Sequence, residues 1–204
     1  MKENRIVKNA VILTIMAVLL SAILGFTNQI TKDRIAEQDE LKKQKAYTAV
    51  FEDASFEETD ELTALAASSK EDFEAAGFSG IVVTEAVAAI QNGETAGYVL
   101  NITNSNGYGG DIVTAIGITV DGKMTGLSVI SNSETAGLGA NCSKESFTEQ
   151  FKTIDSPEIS FVEGGGADHV TQIDAISSAT ITTTAVTNTV NAALHFVYDE
   201  IGIQ

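Results

Sequence analysis

The apolar positions begin as one unbroken run. Residues 9–31 carry no charged side chain, 23 positions in all, and Ala10–Phe26 is almost wholly apolar. About 20 such residues span a bilayer as a helix. A cleaved signal has a shorter apolar core, roughly 7–15 residues, and ends in a small-x-small site. Phe26 to Lys32 offers no such site, so the run reads as a retained single-pass anchor. From Thr31 the pattern becomes amphipathic: Asp33, Arg34, Glu37, Lys42, Lys43 and Lys45 alternate around Ile30, Leu41, Tyr47, Val50 and Phe51. That spacing predicts a helix over about 31–51 continuing out of the membrane. Glu52–Asp72 is acidic and alanine-rich, with Phe56, Leu62 and Leu65 as its few apolar holds, and reads as short helix and loop.

The middle of the chain is strand-like. Ile81–Val87, Gly97–Ile102, Ile112–Val120 and Thr125–Ile130 are rich in β-branched residues and suit a pleated, half-buried surface. Asn92-Gly93 and Asp121-Gly122 punctuate them; the second reads as a two-residue hairpin turn, where positive φ is required. Consecutive strands without intervening helices predict an antiparallel β-sheet flanked by helices, an α+β fold preceded by a single N-terminal transmembrane helix. The domain boundaries expected from this pattern are 1–30 for the cytoplasmic tip and anchor, 31–80 for a helical, acidic connecting segment, and 81–204 for the folded domain.

The last apolar pattern is a helix face, Val186, Val190, Leu194, Val197 and Ile201, stepping by three or four. Directly before it stands a hydroxyl-rich stretch, Ile173–Thr184. Hydroxyls there can cap the first free N–H groups. They also border the positive end of the helix dipole, a seat for phosphate. Thr180, Thr182, Thr183, Thr184, Thr187 and Thr189 are more threonines than a helix start needs, because branching at Cβ stiffens χ1. The excess points to a local job for the hydroxyls.

Charge narrows the functions available. Lys2, Arg5 and Lys8 precede the anchor with Glu3 the one acid beside them, which places the N-terminus in the cytoplasm and the rest outside. The whole chain carries −16, so after the +2 of the first 27 residues the remainder carries −18. Such a domain does not bind nucleic acid through a basic patch. The single cysteine, Cys142, allows no internal disulfide and reads as a buried apolar residue. His169 and His195 stand far apart with no metal-ligand spacing, so no protein-bound metal is expected. His195, next to Leu194, flanks the helix's core face. No acidic residue lies in the apolar run, so that helix is not expected to conduct ions.

Two glycine-rich spots interrupt the strands: Gly107-Tyr108-Gly109-Gly110 and Glu134-Thr135-Ala136-Gly137-Leu138-Gly139. Each alone reads as a turn. Asp174-Ala175-Ile176-Ser177-Ser178-Ala179-Thr180 resembles the flavinylation motif of the FMN-binding domain family, an Asp, two variable residues, Ser or Thr, Gly, Ala and Thr. That family also carries a Gly-Tyr-x-Gly segment and then a Glu-Thr-Pro-Gly-Leu-Gly segment, often with His two positions earlier, and the two spots occupy the same order. Ser178 stands at the usual Gly, Ala136 at the usual Pro, and Asn132 at the His position. Where the family glycine serves a positive φ, Ser178 is strained.

The resemblance runs from roughly Ile81 to Ile201. In length and anchor it is most like the G subunits of Rnf-type ion-translocating electron-transport complexes. It implies FMN joined covalently to Thr180 as a phosphoester, installed by a Mg-dependent flavin transferase from FAD. It implies hydrogen bonds to the phosphate from Ser177, Thr182 and Thr183, and further cofactor contacts from Asp174, Ser178 and Ala179 of the same motif. Leu138 with the Gly137 and Gly139 amides would bed the ring, Thr135 and Glu134 would orient that loop, and Tyr108 is a further cofactor contact. The function implied is electron relay within a membrane ferredoxin:NAD oxidoreductase coupled to Na⁺ or H⁺ translocation, with other membrane subunits as partners. The chain alone is expected to have no complete activity and no catalytic residue of its own. The alternatives are the C subunit of a sodium-translocating NADH:quinone reductase, similar in design, and a flavin-free anchored extracytoplasmic binding or sensory module.

Overall fold

The computed structural model describes residues 3–203. Lys2, one of the basic residues ahead of the apolar run, lies outside them. The chain divides into two compact units, Met1–Lys42 and Lys43–Gln204. Helix α1 is Glu3–Val50. Val7–Val50 contains a stretch of mean hydropathy 2.5, none of it buried, long and apolar enough to cross a bilayer once.

In the second unit a five-stranded antiparallel sheet runs in simple sequence order: β1 Ser55–Glu57, β2 Ile81–Gln91, β3 Glu94–Asn104, β4 Ile112–Thr119 and β5 Met124–Asn132. The mixed α+β architecture follows the sequence expectation. The loop expected inside 52–72 holds strand β1 instead, which pairs Phe56 with Ala89. Helix α2, Asp60–Ala75, starts where the Thr59 hydroxyl accepts the Leu62 N–H at 3.2 Å and buries Leu62, Ala66 and Phe73.

The two glycine turns exchange the roles expected of them. Asn92 and Gly93 both have positive φ, 54° and 85°, and Gln91 pairs with Glu94, so the tight two-residue turn is here. At Asp121-Gly122 only Gly122 is left-handed, at φ 81°. The Thr119 N–H reaches the Lys123 carbonyl at 2.8 Å, closing a three-residue loop with a bulge in place of the expected two-residue turn.

Both faces of the sheet are covered, which fills its strands with apolar residues. One face carries Leu100, Ile102, Ile116 and Ile118 against α2 and the last helix, α4 (Thr180–His195). The other carries Val87, Ala89, Val99 and Ala115 against Ala46, Tyr47, Val50 and Phe51 at the end of α1. There Gly117 pairs with Gly126. A Cβ on Gly117 would strike the Val50 carbonyl and the Thr125 hydroxyl, and one on Gly97 the Phe51 ring. Glycines therefore make the bed on which the helix end lies.

After β5 the chain forms a 3₁₀ turn at Gly139–Ser143 and a short helix α3, Glu145–Thr148. A parallel pair follows, β6 Ser160–Val162 with β7 Gln172–Asp174. Helix α4 ends in a π-turn, Phe196–Ile201. Val186, Val190, Leu194 and Val197 are fully buried, as their spacing predicts. Polar side chains also moor this helix. Asn104 donates to the Ala185 carbonyl at 2.8 Å and the Thr189 hydroxyl at 2.9 Å. Asn191 accepts the Ile159 N–H and donates to its carbonyl. His195 lies beside Phe73 and Phe78 and pairs with Asp199 at 2.5 Å. Cys142 is buried, and burial pushes its thiol pKa up.

Candidate cofactor site

The start of α4 is where the sequence pattern meets the chemistry. Ser178 adopts φ 59°, the left-handed conformation in which a side chain other than Gly is strained. Ala179 is the N-cap and offers no side-chain bond to the helix. The expectation that the hydroxyls cap the first N–H groups is therefore corrected: these groups have no side-chain partner.

The threonines divide by what their protons reach. Thr183, Thr187 and Thr189 donate back to the carbonyls of Ala179, Thr183 and Ala185 on their own helix. All three are buried, so their hydroxyls are satisfied internally and the helix tolerates them. Thr183 also accepts the Ile176 N–H at 3.0 Å, which ties the turn together and faces its oxygen away from the cleft. Among the described residues, only two of the helix's hydroxyls donate to side chains of other segments. Thr182 donates to Glu134 Oε2 at 2.5 Å, and exposed Thr180 donates to Glu163 Oε1 at 3.2 Å.

Glu134 joins three segments. It is 8% exposed; its Oε1 accepts the Gly109 N–H at 2.9 Å while Oε2 holds Thr182. Its own N–H goes to Asn132 Oδ1 at 3.0 Å. The glycines around it are sites of close approach. A Cβ on Gly139 would strike both Glu134 Oε2 and Thr182 Oγ1, and one on Gly109 the Ser133 carbonyl. The 134–139 loop closes on itself, with Leu138 N–H and Ala140 N–H both on the Thr135 carbonyl and Gly137 at φ 79°.

A cleft of 510 Å³ opens between these segments, lined by Tyr108, Glu134, Thr135, Leu138, Gly139 and residues 178–182. Its volume is within the range of small-molecule sites. Tyr108, Leu138 and Ile181 remain 69%, 43% and 54% exposed at its edge. Among the described residues from 43 onward, only Val120 and Val170 are comparably exposed large apolar side chains, so the uncovered apolar surface of that unit gathers here. A second hollow of 590 Å³ lies on the other side of Thr180, lined by Glu163, Gly164, Gly165, Asp174 and Ser177 among others. Thr180 and Ser178 border both. A larger hollow of 720 Å³ beside Lys144, Gln150 and His169 contains none of the hydroxyls of α4.

Nine of the thirteen sequence-derived site residues thus line one cleft: Tyr108, Glu134, Thr135, Leu138, Gly139, Ser178, Ala179, Thr180 and Thr182. Ser177 lines the second hollow. Asp174 belongs to β7, where its Oδ1 accepts the Ala167 N–H at 2.8 Å. Thr183 is buried in the turn, and Gly137 shapes the loop without lining the cleft. Sequence reasoning missed Ile181 and Glu163. Ile181 carried a readable signal, an apolar residue off the core-facing stripe. Glu163 carried none, since its contact spans 17 residues through the β6–β7 pair.

Taken together, the cleft suits a ligand with an apolar body and an anionic tail. The body meets the uncovered side chains, and the tail meets the unpartnered N–H groups that begin α4. Neither hollow that borders Thr180 is lined by Lys, Arg or His, so charge pairing contributes nothing to holding such a tail.

Residues 107–195 match the FMN-binding domain family, and residues 1–50 match the N-terminal region of RnfG. The G subunit of the proton-translocating ferredoxin:NAD⁺ oxidoreductase complex of Clostridium ljungdahlii is 40% identical over 107 residues, 52% of this chain and 56% of that protein. Its counterpart in the Na⁺-translocating complex of Acetobacterium woodii is 36% identical over 104 residues, half of each chain. The chain thus spans about half the length of these two relatives. The match to the G subunit of the ion-translocating oxidoreductase complex of Vibrio atlanticus covers 95% of this chain and 91% of that one, at 27% identity. With both regions matched in order, the chain resembles the FMN-binding domain family over residues 107–195 and is similar in design to the G subunits of Rnf complexes.

Proposed function

We propose that this chain is a membrane-anchored electron carrier of an Rnf-type ferredoxin:NAD oxidoreductase, with FMN esterified to Thr180. The observation that carries the reading is the exposed Thr180 hydroxyl, set at the uncapped start of α4 beside a cleft edged by Tyr108, Leu138 and Ile181. The residues suit the cofactor. The helix N–H groups face a phosphodiester, while the three uncovered side chains give an isoalloxazine an apolar bed. A cleft with carboxylates and no cations retains an anionic nucleotide poorly by charge, and a covalent bond supplies that retention. Bound there, FMN supplies the electron transfer, and the protein supplies position and surroundings.

In this reading the N-terminus is cytoplasmic and residues 43–204 lie on the extracytoplasmic face, where a diffusible flavin would be lost. Other membrane subunits of the complex are the redox partners, and a flavin transferase matures the chain. Translocation of Na⁺ or H⁺ belongs to the whole complex, since the apolar run has no ionisable side chain to pass an ion.

Expression with a flavin transferase tests the attachment. The protein becomes yellow, keeps its colour through acid precipitation and fluoresces as a band on a denaturing gel. Thr180→Val abolishes the band while the fold persists. An unmodified mass for the Thr180 peptide from such cells refutes the attachment. Protease added to intact cells, or to spheroplasts where an outer membrane intervenes, tests orientation; degradation only after lysis reverses it.

A further inference from the structure

We infer that Glu163 and the glycine loop behind it form a gate over Thr180, closed on the free hydroxyl and opened by esterification. The inference rests on Thr180 being the attachment residue. In the unmodified chain the Thr180 proton is donated to Glu163 Oε1 at 3.2 Å. A phosphodiester on the same oxygen has no proton to give and adds a negative charge beside the carboxylate. The bond that holds Glu163 in place is thereby exchanged for repulsion.

The loop is built to respond. Gly164, Gly165 and Gly166 follow directly, at φ 82°, 89° and 101°, and each has open space where a Cβ would stand. Both ends of the loop are fastened to one residue. Val162 pairs with Asp174 across β6 and β7, and the Ala167 N–H binds Asp174 Oδ1 at 2.8 Å. The segment 163–166 can therefore swing while its ends stay fixed. This gives Asp174 a task away from the cofactor cleft: it anchors the gate. The loop forms one wall of the 590 Å³ hollow that borders Thr180 opposite the apolar cleft, so while closed it narrows the approach to the hydroxyl.

The step being gated is transfer of a flavin mononucleotidyl group from a flavin adenine dinucleotide. Thr180 Oγ bonds to the flavin-side phosphorus, and the phosphoanhydride bond breaks. Adenylate leaves with the electron pair, and the hydroxyl proton passes to a base of the transferase. A closed gate opposes this step by engaging the acceptor proton and by facing the incoming diphosphate with a like charge.

The test compares the full-length chain with Glu163→Gln and Glu163→Ala, each incubated with flavin transferase, Mg²⁺ and the dinucleotide. Initial labelling rates are read as in-gel fluorescence. Glu163→Ala labels about two- to fivefold faster than wild type, the range an exposed charged contact supports. The charge-dependent part of that ratio shrinks as ionic strength rises. A second readout is the backbone order of Gly164–Gly166 by NMR relaxation, which falls on labelling in wild type and changes less in Glu163→Gln, where the charge is absent. Equal labelling rates overturn the gate. So does slower labelling of Glu163→Ala, which would mark Glu163 as an aid to transfer. Both of these outcomes leave Thr180 labelled and the attachment intact, whereas a wild-type Thr180 peptide that never gains mass overturns attachment and gate together.

Discussion

Glu134→Ala is the perturbation that most directly probes how the cleft is held. The carboxylate is 8% exposed and accepts two bonds, from Gly109 N–H at 2.9 Å and Thr182 O–H at 2.5 Å. A hydrogen bond to a charged group contributes about 1.5–3 kcal/mol. Gly109 is exposed and finds water when the carboxylate goes, whereas Thr182 is 1% exposed and keeps a buried donor without its partner. The loss is then about 3 kcal/mol, most of it on the Thr182 side, which for a chain of this size lowers Tm by about 6–12 °C. Thr182→Val removes the same bond from the other end and costs about 2 kcal/mol. The assay is a double-mutant cycle on the full-length chain in detergent, followed by urea unfolding. Because both single variants delete one shared bond, the double variant loses less than their sum, with a coupling of about 1.5 kcal/mol. A coupling below about 0.5 kcal/mol, the ordinary scatter of independent sites, refutes the claim that Glu134 ties the glycine loops to α4.

Other predictions follow from single residues. Ser178→Gly relieves the left-handed strain at φ 59°, about 1–2 kcal/mol, against a smaller entropic cost for glycine; thermal unfolding shifts upward by the equivalent of about 0.5–1 kcal/mol, and a downward shift contradicts the strain. Asp168 accepts the Thr171 hydroxyl and the N–H groups of Val170, Thr171 and Gln172, which hold its carboxyl well below the usual aspartate range. A folded pKa below the unfolded one means its contribution is complete above the usual aspartate range and fades only as pH falls through the lower, folded value. NMR titration therefore finds the 168–172 turn intact at pH 4, and an aspartate midpoint at or above about 3.9 would be the contrary result. Buried Cys142 resists alkylation in the native protein and reacts on unfolding; stoichiometric native labelling counts against its burial.

Much of this architecture was legible from one-dimensional pattern. The anchor is one unbroken apolar run, the strands are β-branched runs, and the core stripe Val186–Val197 has helical spacing; each belongs to a single element. Strand ends were less legible. Ala88, Ala89 and Ile90 continue β2 past the expected end, because a sheet buried on both faces gives no alternation to mark where a strand stops. The short strand β1 was invisible because its pairing partner lies more than thirty residues away. In the site, the three glycine- and hydroxyl-rich segments did converge, but the division of labour among the threonines could not be read. Thr183 and Thr182 are adjacent and chemically identical; one serves its own helix and the other a distant carboxylate, and only packing decides which.

Helix α4 follows every strand of the sheet in sequence, and this sets an order of events. The helix supplies Val186, Val190 and Leu194 to the core that also holds Leu100, Ile102 and Ile116 of the meander. A nascent or truncated polypeptide accordingly lacks both the finished interior and the seat around residue 180. Attachment of a prosthetic group at that seat would then report on folding, because the seat exists only after α4 has docked.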